Sequence, residues 1–373
     1  MVRAVSHKQA LMADLIQSDT HARALRLWLV TAAAMIFLTL VVGGATRLTE
    51  SGLSIVEWKP VTGVLPPLSD SDWQAEFTKY QAIPQYRELN RGMSLQAFKV
   101  IYWWEWSHRL LARATGAVFL LPFLFFLLRG WVPPRLRNRL WAIFAGGAAL
   151  GGVGWWMVSS GLSGTLTSVS QYRLAFHLTL ACTIYAAVVW TSQQVLPRPA
   201  VIASSRVRNG ALLVAALVLL QIYLGALVAG LNAGMSFNTW PLIDGALVPA
   251  SGRLWFETPL WRNFFENTLT VQFDHRMLAY AIWLLAVVHA IDAMRSEADL
   301  RARRVAVVLA LLVTVQAALG IATLLLVVPL ALAIAHQAMA AVVLTLAIIH
   351  AERLRHCVDS RAWLKASAAS AQS

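Results

Sequence analysis

Four histidines carry side chains and spacing suited to metal chemistry: His108, His177, His275 and His336. Each begins a long apolar run. Counted at 1.5 Å per helical residue, His108 and His177 lie about 31 Å from the basic residue that closes the run, His275 about 30 Å and His336 about 25 Å. The four therefore share one depth, near one face of a membrane. Polar groups placed there are costly and usually functional. Imidazoles from alternate helices at equal depth can clamp a planar macrocycle, and two axial imidazoles make a six-coordinate haem iron. This pairs His108 with His177 and His275 with His336. Zinc fits less well, because neither pair has a third or fourth ligand nearby. An interhelical hydrogen bond explains one intramembrane histidine but not two matched pairs. Of the remaining five, His7, His21 and His356 fall in polar tails, and His289 and His350 sit near the far ends of their helices, where packing or interface roles are expected.

Glu105 precedes His108 by three residues, so the two share a helix face. The matching position before His275 is Gln272, which cannot ionise. Two like sites, one with a proton-active group, point to one catalytic and one supporting centre. Glu105 is a candidate general acid or base, or a stabiliser of a cationic intermediate; pairing with the helix dipole or with Arg109 is the plainer alternative. Arg109 and Arg276 follow their histidines directly. They are candidates for haem propionates or for snorkelling to headgroups.

The elements that must position these groups are membrane helices. Of 373 residues, 58% are hydrophobic and 13% charged, against roughly 25% charged in soluble domains. Apolar runs begin near Leu27, after His108, and near Leu140, Leu174, Asn209 and His275. Residues 305–351 hold no Lys, Arg, Asp or Glu and are too long for one crossing, and Pro329 splits them. The fold class is thus an all-α membrane protein of eight transmembrane helices. Nineteen Lys and Arg residues fall in the N-terminal segment, the 129–139, 198–208 and 295–304 loops and the tail, all on one side. The opposing short loops, around 159–171 and 327–330, are expected to hold none. The positive-inside rule puts both termini in the cytoplasm and the histidine sites near the periplasmic side of a bacterial inner membrane. The net charge of +13 is therefore topology, and nucleic acid is not an expected partner; the lipid bilayer is. Two cysteines, Cys182 and Cys357, predict no structural disulfide.

The halves repeat. Glu105-Trp-Ser-His108-Arg109 is echoed by Gln272-Phe-Asp-His275-Arg276, Gly43-Gly44 by Ala229-Gly230, and His177 by His336. An even number of spans per half gives a parallel repeat, with a pseudo-twofold axis along the membrane normal. The expected organisation is a cytoplasmic segment 1–26, a first four-helix bundle 27–197 with an outer loop 47–104, a linker 198–208, a second four-helix bundle 209–351 and a tail 352–373. The outer loop carries Trp73, Phe77 and Tyr80 among charges and reads as an interfacial cover, with capping of the site or docking of a partner as alternatives.

The string Gly43-Gly-Ala-Thr-Arg47-Leu-Thr-Glu-Ser-Gly-Leu-Ser54, followed by Glu57-Trp58-Lys59-Pro60 and Gly63-Val-Leu-Pro-Pro67, resembles the first outer loop of haem A synthases. So do Glu105-x-x-His108, His177, Asp274-His275-Arg276 and His336-Gln337. The resemblance covers residues 25–351 and is to the proteobacterial and mitochondrial branch. Some members carry a cysteine pair in the first outer loop; this chain has none. The resemblance implies oxidation of a methyl group of haem O to the formyl group of haem A. It implies haem O or haem A between His108 and His177, Glu105 as the catalytic acid, and a permanent haem B between His275 and His336. It further implies haem O synthase and terminal oxidase assembly factors as partners. Two other classes remain: a bis-histidine b-type membrane cytochrome in electron transfer, and a transporter with repeat architecture. A relay across the membrane would want haems at different depths, and the spans lack paired charges in their middles.

Overall fold

The computed structural model describes residues 2–196, 201–296, 299–355 and 357–358, with side chains from Asp19 onward except those of Ile202, Cys357 and Val358. The expected tail beyond 358 and the first residues of the expected linker, 198–200, lie outside the described residues. Eight helices are long and apolar enough to cross a membrane: α1 (Val2–Leu48), α2 (Leu95–Leu128), α3 (Pro134–Ser159), α4 (Gln171–Gln194), α5 (Ser205–Gly230), α6 (Thr268–Arg295), α7 (Leu300–Leu325) and α8 (Leu330–Leu354). The chain is a multi-pass membrane protein. Its described non-helical regular structure is one parallel pairing of Val201–Ile202 with Cys357–Val358.

Local chemistry sets the helix starts. Ser94 accepts from the Ala97 amide, Ser204 from Val207, and Asn267 from Leu269 and Thr270; each satisfies an amide that the first turn leaves free. Pro329 sits just before α8, as the split of residues 305–351 requires. One boundary differs from the sequence expectation. The outer loop ends at Ser94, not near residue 104, because α2 begins at Leu95 and runs 34 residues. At 1.5 Å per residue that is about 51 Å, against a hydrocarbon core of about 30 Å. The start of α2 therefore stands clear of the bilayer. A short helix, Asp70–Gln81, closed by a Ser69/Asp72 capping box, lays Trp73, Phe77 and Tyr80 against it, with Phe77 5.0 Å from Phe98 and Trp73 5.0 Å from Tyr102 between ring centres.

The helices pack as two rings. In the first, α1 packs on α2 and α4, and α3 on α2 and α4; in the second, α5 packs on α6 and α8, and α7 on α6 and α8. Between rings, α4 meets α5, α1 meets α8, and α4 meets α8. Exchanging each helix for its counterpart in the other half reproduces this list, which is the contact pattern a tandem repeat with a twofold axis requires. Small residues line the junction. Gly44 of α1 lies so close to Gln337 of α8 that no Cβ fits between them, and the Gln337 amide donates to the Leu40 carbonyl at 2.6 Å. At the outer end, Arg47 donates to the Ala229 carbonyl and to Asn232.

Candidate functional site

Each of the four candidate histidines rests on a glycine of the preceding helix. A Cβ on Gly43 would fall 2.8 Å from His108 Nε2, on Gly154 3.1 Å from His177 Cε1, on Gly225 3.1 Å from His275 Cε1, and on Gly320 2.8 Å from His336 Cε1. A side chain at Gly43 or Gly320 would force the ring to move, and one at Gly154 or Gly225 would press it aside by a few tenths of an ångström. All four glycines lie five residues before the end of their helix: Leu48, Ser159, Gly230 and Leu325. Each ring thus lies beside a glycine about 7.5 Å from the C-terminal end of that glycine's helix. The pattern is consistent with the tandem repeat read from the sequence, on a register that matches Gly43 with Gly225 and leaves Ala229-Gly230 one turn further along. The seats were missed in the sequence because glycine is common in membrane helices and this chain has 21.

The histidines differ in their polar neighbours. Gln221 of α5 donates its amide to the His275 carbonyl at 2.9 Å, with the same nitrogen 3.0 Å from His275 Nδ1 and 3.3 Å from its Nε2. Gln316 of α7 places its amide nitrogen 3.5 Å from His336 Nε2. Nδ1 of both His177 and His336 is buried without a partner. His350 Nδ1 is in the same state; what suits each pair to a haem iron is that two buried imidazoles from separate helices of one half could each supply a ligand. Among the described residues no group of three His, Cys, Asp or Glu could hold a bare metal ion. His289 and His350, expected to pack, are buried and hydrogen-bonded to each other, Nε2 to Nε2, at 2.9 Å.

Glu105 and Gln272 are both clamps. Glu105, 2% exposed, accepts from the Ser54 hydroxyl at 2.7 Å and the Ile55 amide at 2.8 Å on one oxygen. Its other oxygen accepts from Arg109 at 2.7 and 3.1 Å. Arg109 continues to the carbonyls of Ile55 and Glu57. In the second half, Arg276 donates to Gln272 Oε1 at 2.7 Å and to the carbonyls of Phe237, Thr239 and Leu242. The polarity of the loop is reversed there. Gln272 donates its amide hydrogens to the carbonyls of Ala233 and Ser236, at 2.6 and 2.7 Å. Each loop thus presents donors where the helix carries a carboxylate and acceptors where it carries an amide. Both arginines are turned into their loops, a use that neither sequence alternative anticipated.

The first loop also reaches α3. Trp58 stacks on Trp155, ring centres 6.0 Å apart, beside the Gly154 seat. Next to it, Glu57, Lys59, Glu76 and Lys79 close a square of alternating charge, with contacts of 2.7 to 3.2 Å. Hydrogen bonds from Lys59 and Lys79 hold the Glu57 carboxyl below its usual range, and its bond to Glu57 raises Lys59 against the opposing effect of burial. The loop therefore covers the outer ends of α2 and α3 with a layer of its own polar and aromatic contacts.

The sequence profile of a family described as cytochrome oxidase assembly protein (COX15-CtaA) matches residues 26–348. A protein named heme A synthase from Rhodopseudomonas palustris strain HaA2 is 60% identical over 332 residues, covering 89% of this chain and 90% of the relative. Proteins of the same name from Bradyrhizobium diazoefficiens and Azorhizobium caulinodans are 60% and 58% identical, over 89% and 88% of this chain and 92% and 93% of their own.

Proposed function

The chain belongs to the cytochrome oxidase assembly protein family, and from that premise we propose that it is a haem A synthase, a membrane oxidoreductase that converts a methyl group of haem O to the formyl group of haem A. The observation that carries this reading is the set of four imidazoles, each on a glycine seat five residues from a helix end. The pair His108 and His177 takes haem O and releases haem A. The pair His275 and His336 keeps haem B, whose part is electron transfer. The two half-chains, 27–197 and 209–351, each supply one pair.

Bound haem supplies the redox chemistry. The protein's own residues orient it, exclude water and handle protons. Glu105 is the proton-handling group on the substrate side, linked through Oε2 to the Ser54 hydroxyl. Gln272 cannot ionise, which suits the second pair to a resident haem. Of the two arginines, Arg276 retains a buried donor without a partner, its Nε, and this is the group left for a propionate. The charge asymmetry supports cytoplasmic termini and sites near the periplasmic face of an inner membrane, with haem O synthase and oxidase assembly factors as partners.

Pigment extraction from the purified protein, with mass identification of each haem, tests the reading. The enzyme carries haem B together with haem O or haem A. Haem B alone indicates an electron carrier, and no haem overturns the proposal. Glu105→Ala is expected to bind haem yet form no haem A, and His275→Ala to lose the haem B signal.

A further inference from the structure

The two halves differ in the seam between their second and third helices. On α2, Arg109, Ala112, Gly116 and Phe119 share one face, and on α3, Phe144, Gly147, Gly151 and Trp155 do the same. At the inner end of the seam Phe119 stacks on Phe144, ring centres 6.5 Å apart, and Phe123 meets Trp141 edge-on at 4.9 Å. At the outer end the Arg109 guanidinium lies 6.0 Å from the Trp155 ring, which Trp58 of the loop also covers. Between these two contacts the residues are small. Ala112, Gly116, Gly147 and Gly151 are all exposed, and no other part of the chain comes within 4 Å of a Cβ built on any of the three glycines.

The second half has the large and small residues exchanged. Counted from the matched histidines, Phe119 corresponds to Ala286 and Gly116 to Trp283. Counted from the matched seats Gly154 and Gly320, Phe144 corresponds to Ala310 and Gly147 to Val313. Alanines in place of rings let two helices approach closely, and α6 and α7 pack extensively where α2 and α3 touch sparsely. Val313 is buried, and the Trp283 indole crosses the seam to donate to the Thr314 hydroxyl at 3.1 Å. The same seam is open in one half and bridged in the other.

The opening lies at membrane depth. It runs over ten residues of α2, Arg109 to Phe119, about 15 Å. Measured from Leu128, where α2 ends, it spans heights of about 14 to about 29 Å, within a hydrocarbon core of about 30 Å. It therefore faces the acyl chains of the leaflet nearer the histidines. Its edges lead to the first site, because Arg109 adjoins His108 and Gly151 lies three residues before the Gly154 seat of His177. A polar solute would lose its hydration on such a path, whereas a flat, largely apolar macrocycle suits it.

We infer that the α2–α3 seam is a lateral portal, through which haem O enters the first site from the bilayer and haem A returns to it, while the Trp283 bridge shuts the corresponding route beside the resident haem. The inference rests on the haem assignment proposed above and adds the path the substrate takes.

The test uses full-length protein reconstituted in phosphatidylcholine vesicles. Transfer of the first-site haem to protein-free vesicles is timed by absorbance for the parent, Gly147→Val and Gly116→Trp, the two variants carrying second-half residues into the seam. Transfer of haem B is timed for Trp283→Gly. A side chain added to the path should slow transfer about 5- to 150-fold, the rate equivalent of an ordinary overpacking cost, with unchanged haem B content as the sign of a folded protein. Gly147→Val is the smaller change and keeps the test valid where the tryptophan variant fails to fold. Removing the bridge in Trp283→Gly should speed loss of haem B by a similar factor, and unchanged loss would overturn the part given to Trp283. Parent-like transfer in both seam variants would overturn the portal, as would first-site haem leaving the parent equally fast for apomyoglobin in water with the acceptor vesicles omitted. A parent that carries neither haem O nor haem A would instead sink the functional assignment, so the two failures are distinguishable.

Discussion

Exchanging the clamp residues gives the sharpest test of how the outer loops are held. Glu105→Gln places an amide where a carboxylate now takes four donors. One half of that amide still serves Arg109, as Gln272 Oε1 serves Arg276. The other half is an NH2 group facing the Ile55 amide, now 2.8 Å from an oxygen. Ser54 can turn its hydroxyl and accept, but Ile55 N–H cannot, and a buried unsatisfied donor costs about 1–3 kcal/mol. Replacing a charge-assisted bond to Arg109 with a neutral one removes about 1 kcal/mol more. The sum, about 2–4 kcal/mol, corresponds to a rise of about 30- to 1,000-fold in local opening. Gln272→Glu inverts the fault, setting a carboxylate against the carbonyls of Ala233 and Ser236. Hydrogen exchange of the detergent-solubilised protein, read by mass spectrometry, should show lost protection at residues 51–57 in the first variant and at 233–239 in the second. Protection within twofold of the parent in both would refute the claim that each loop is built to the polarity of its helix group.

The glycine seats make a graded prediction. Alanine at Gly43 or Gly320, where a Cβ falls 2.8 Å from a ring atom, should strip haem from the adjoining site more completely than alanine at Gly154 or Gly225, at 3.1 Å; pigment content of the purified variants reads this. His289→Ala strands a buried His350 and should lower thermal stability by about 1–3 kcal/mol, whereas replacing both histidines with leucine should recover part of that loss, as scanned by calorimetry. The charge square predicts a pH window for the outer loop. Glu57 is held low, so its contribution is intact above the ordinary carboxylate range and lost as pH falls through its depressed value; Lys59 is held high, so its part is intact below the ordinary lysine range and lost only as pH rises through its raised value. Proteolysis at residues 57–79 should therefore quicken below about pH 4 and in strongly alkaline buffer, and stay flat between.

The eight spans were legible because long apolar runs leave a membrane helix as the one structure that satisfies their backbone. Pro329 was legible as a break because the apolar run it divides is too long for one crossing; Pro122, within a run of ordinary length, sits inside α2 without ending it. The loop boundary at residue 104 was misjudged because Trp103 and Trp104 continue a helix whose start is dressed with Lys99 and other polar groups, and span arithmetic does not register a helix that overshoots the bilayer. The contacts of Glu105 were half legible: pairing with Arg109 was the plainer sequence alternative, and the structure shows it. Its spacing from His108 fixes a shared face, but its partners, Ser54 and Ile55, lie some fifty residues away, and nothing in the local pattern reveals which way a loop turns its amides. Gln221 and Gln316 were hidden among apolar residues, and their nearness to His275 and His336 emerges only from the folded chain.

Gly43 and Gly44 are adjacent, yet they face different halves: one bears the ring of His108, the other the amide next to His336. Successive peptide units thus belong to separate centres, and no seam runs between them along which the molecule could be cut. A polypeptide ending after the fourth span would leave an empty notch on its first helix, and one beginning at the fifth would leave a glutamine with nowhere to lodge. Co-expressed fragments should therefore recover colour only when they reassemble, and neither fragment should hold pigment by itself.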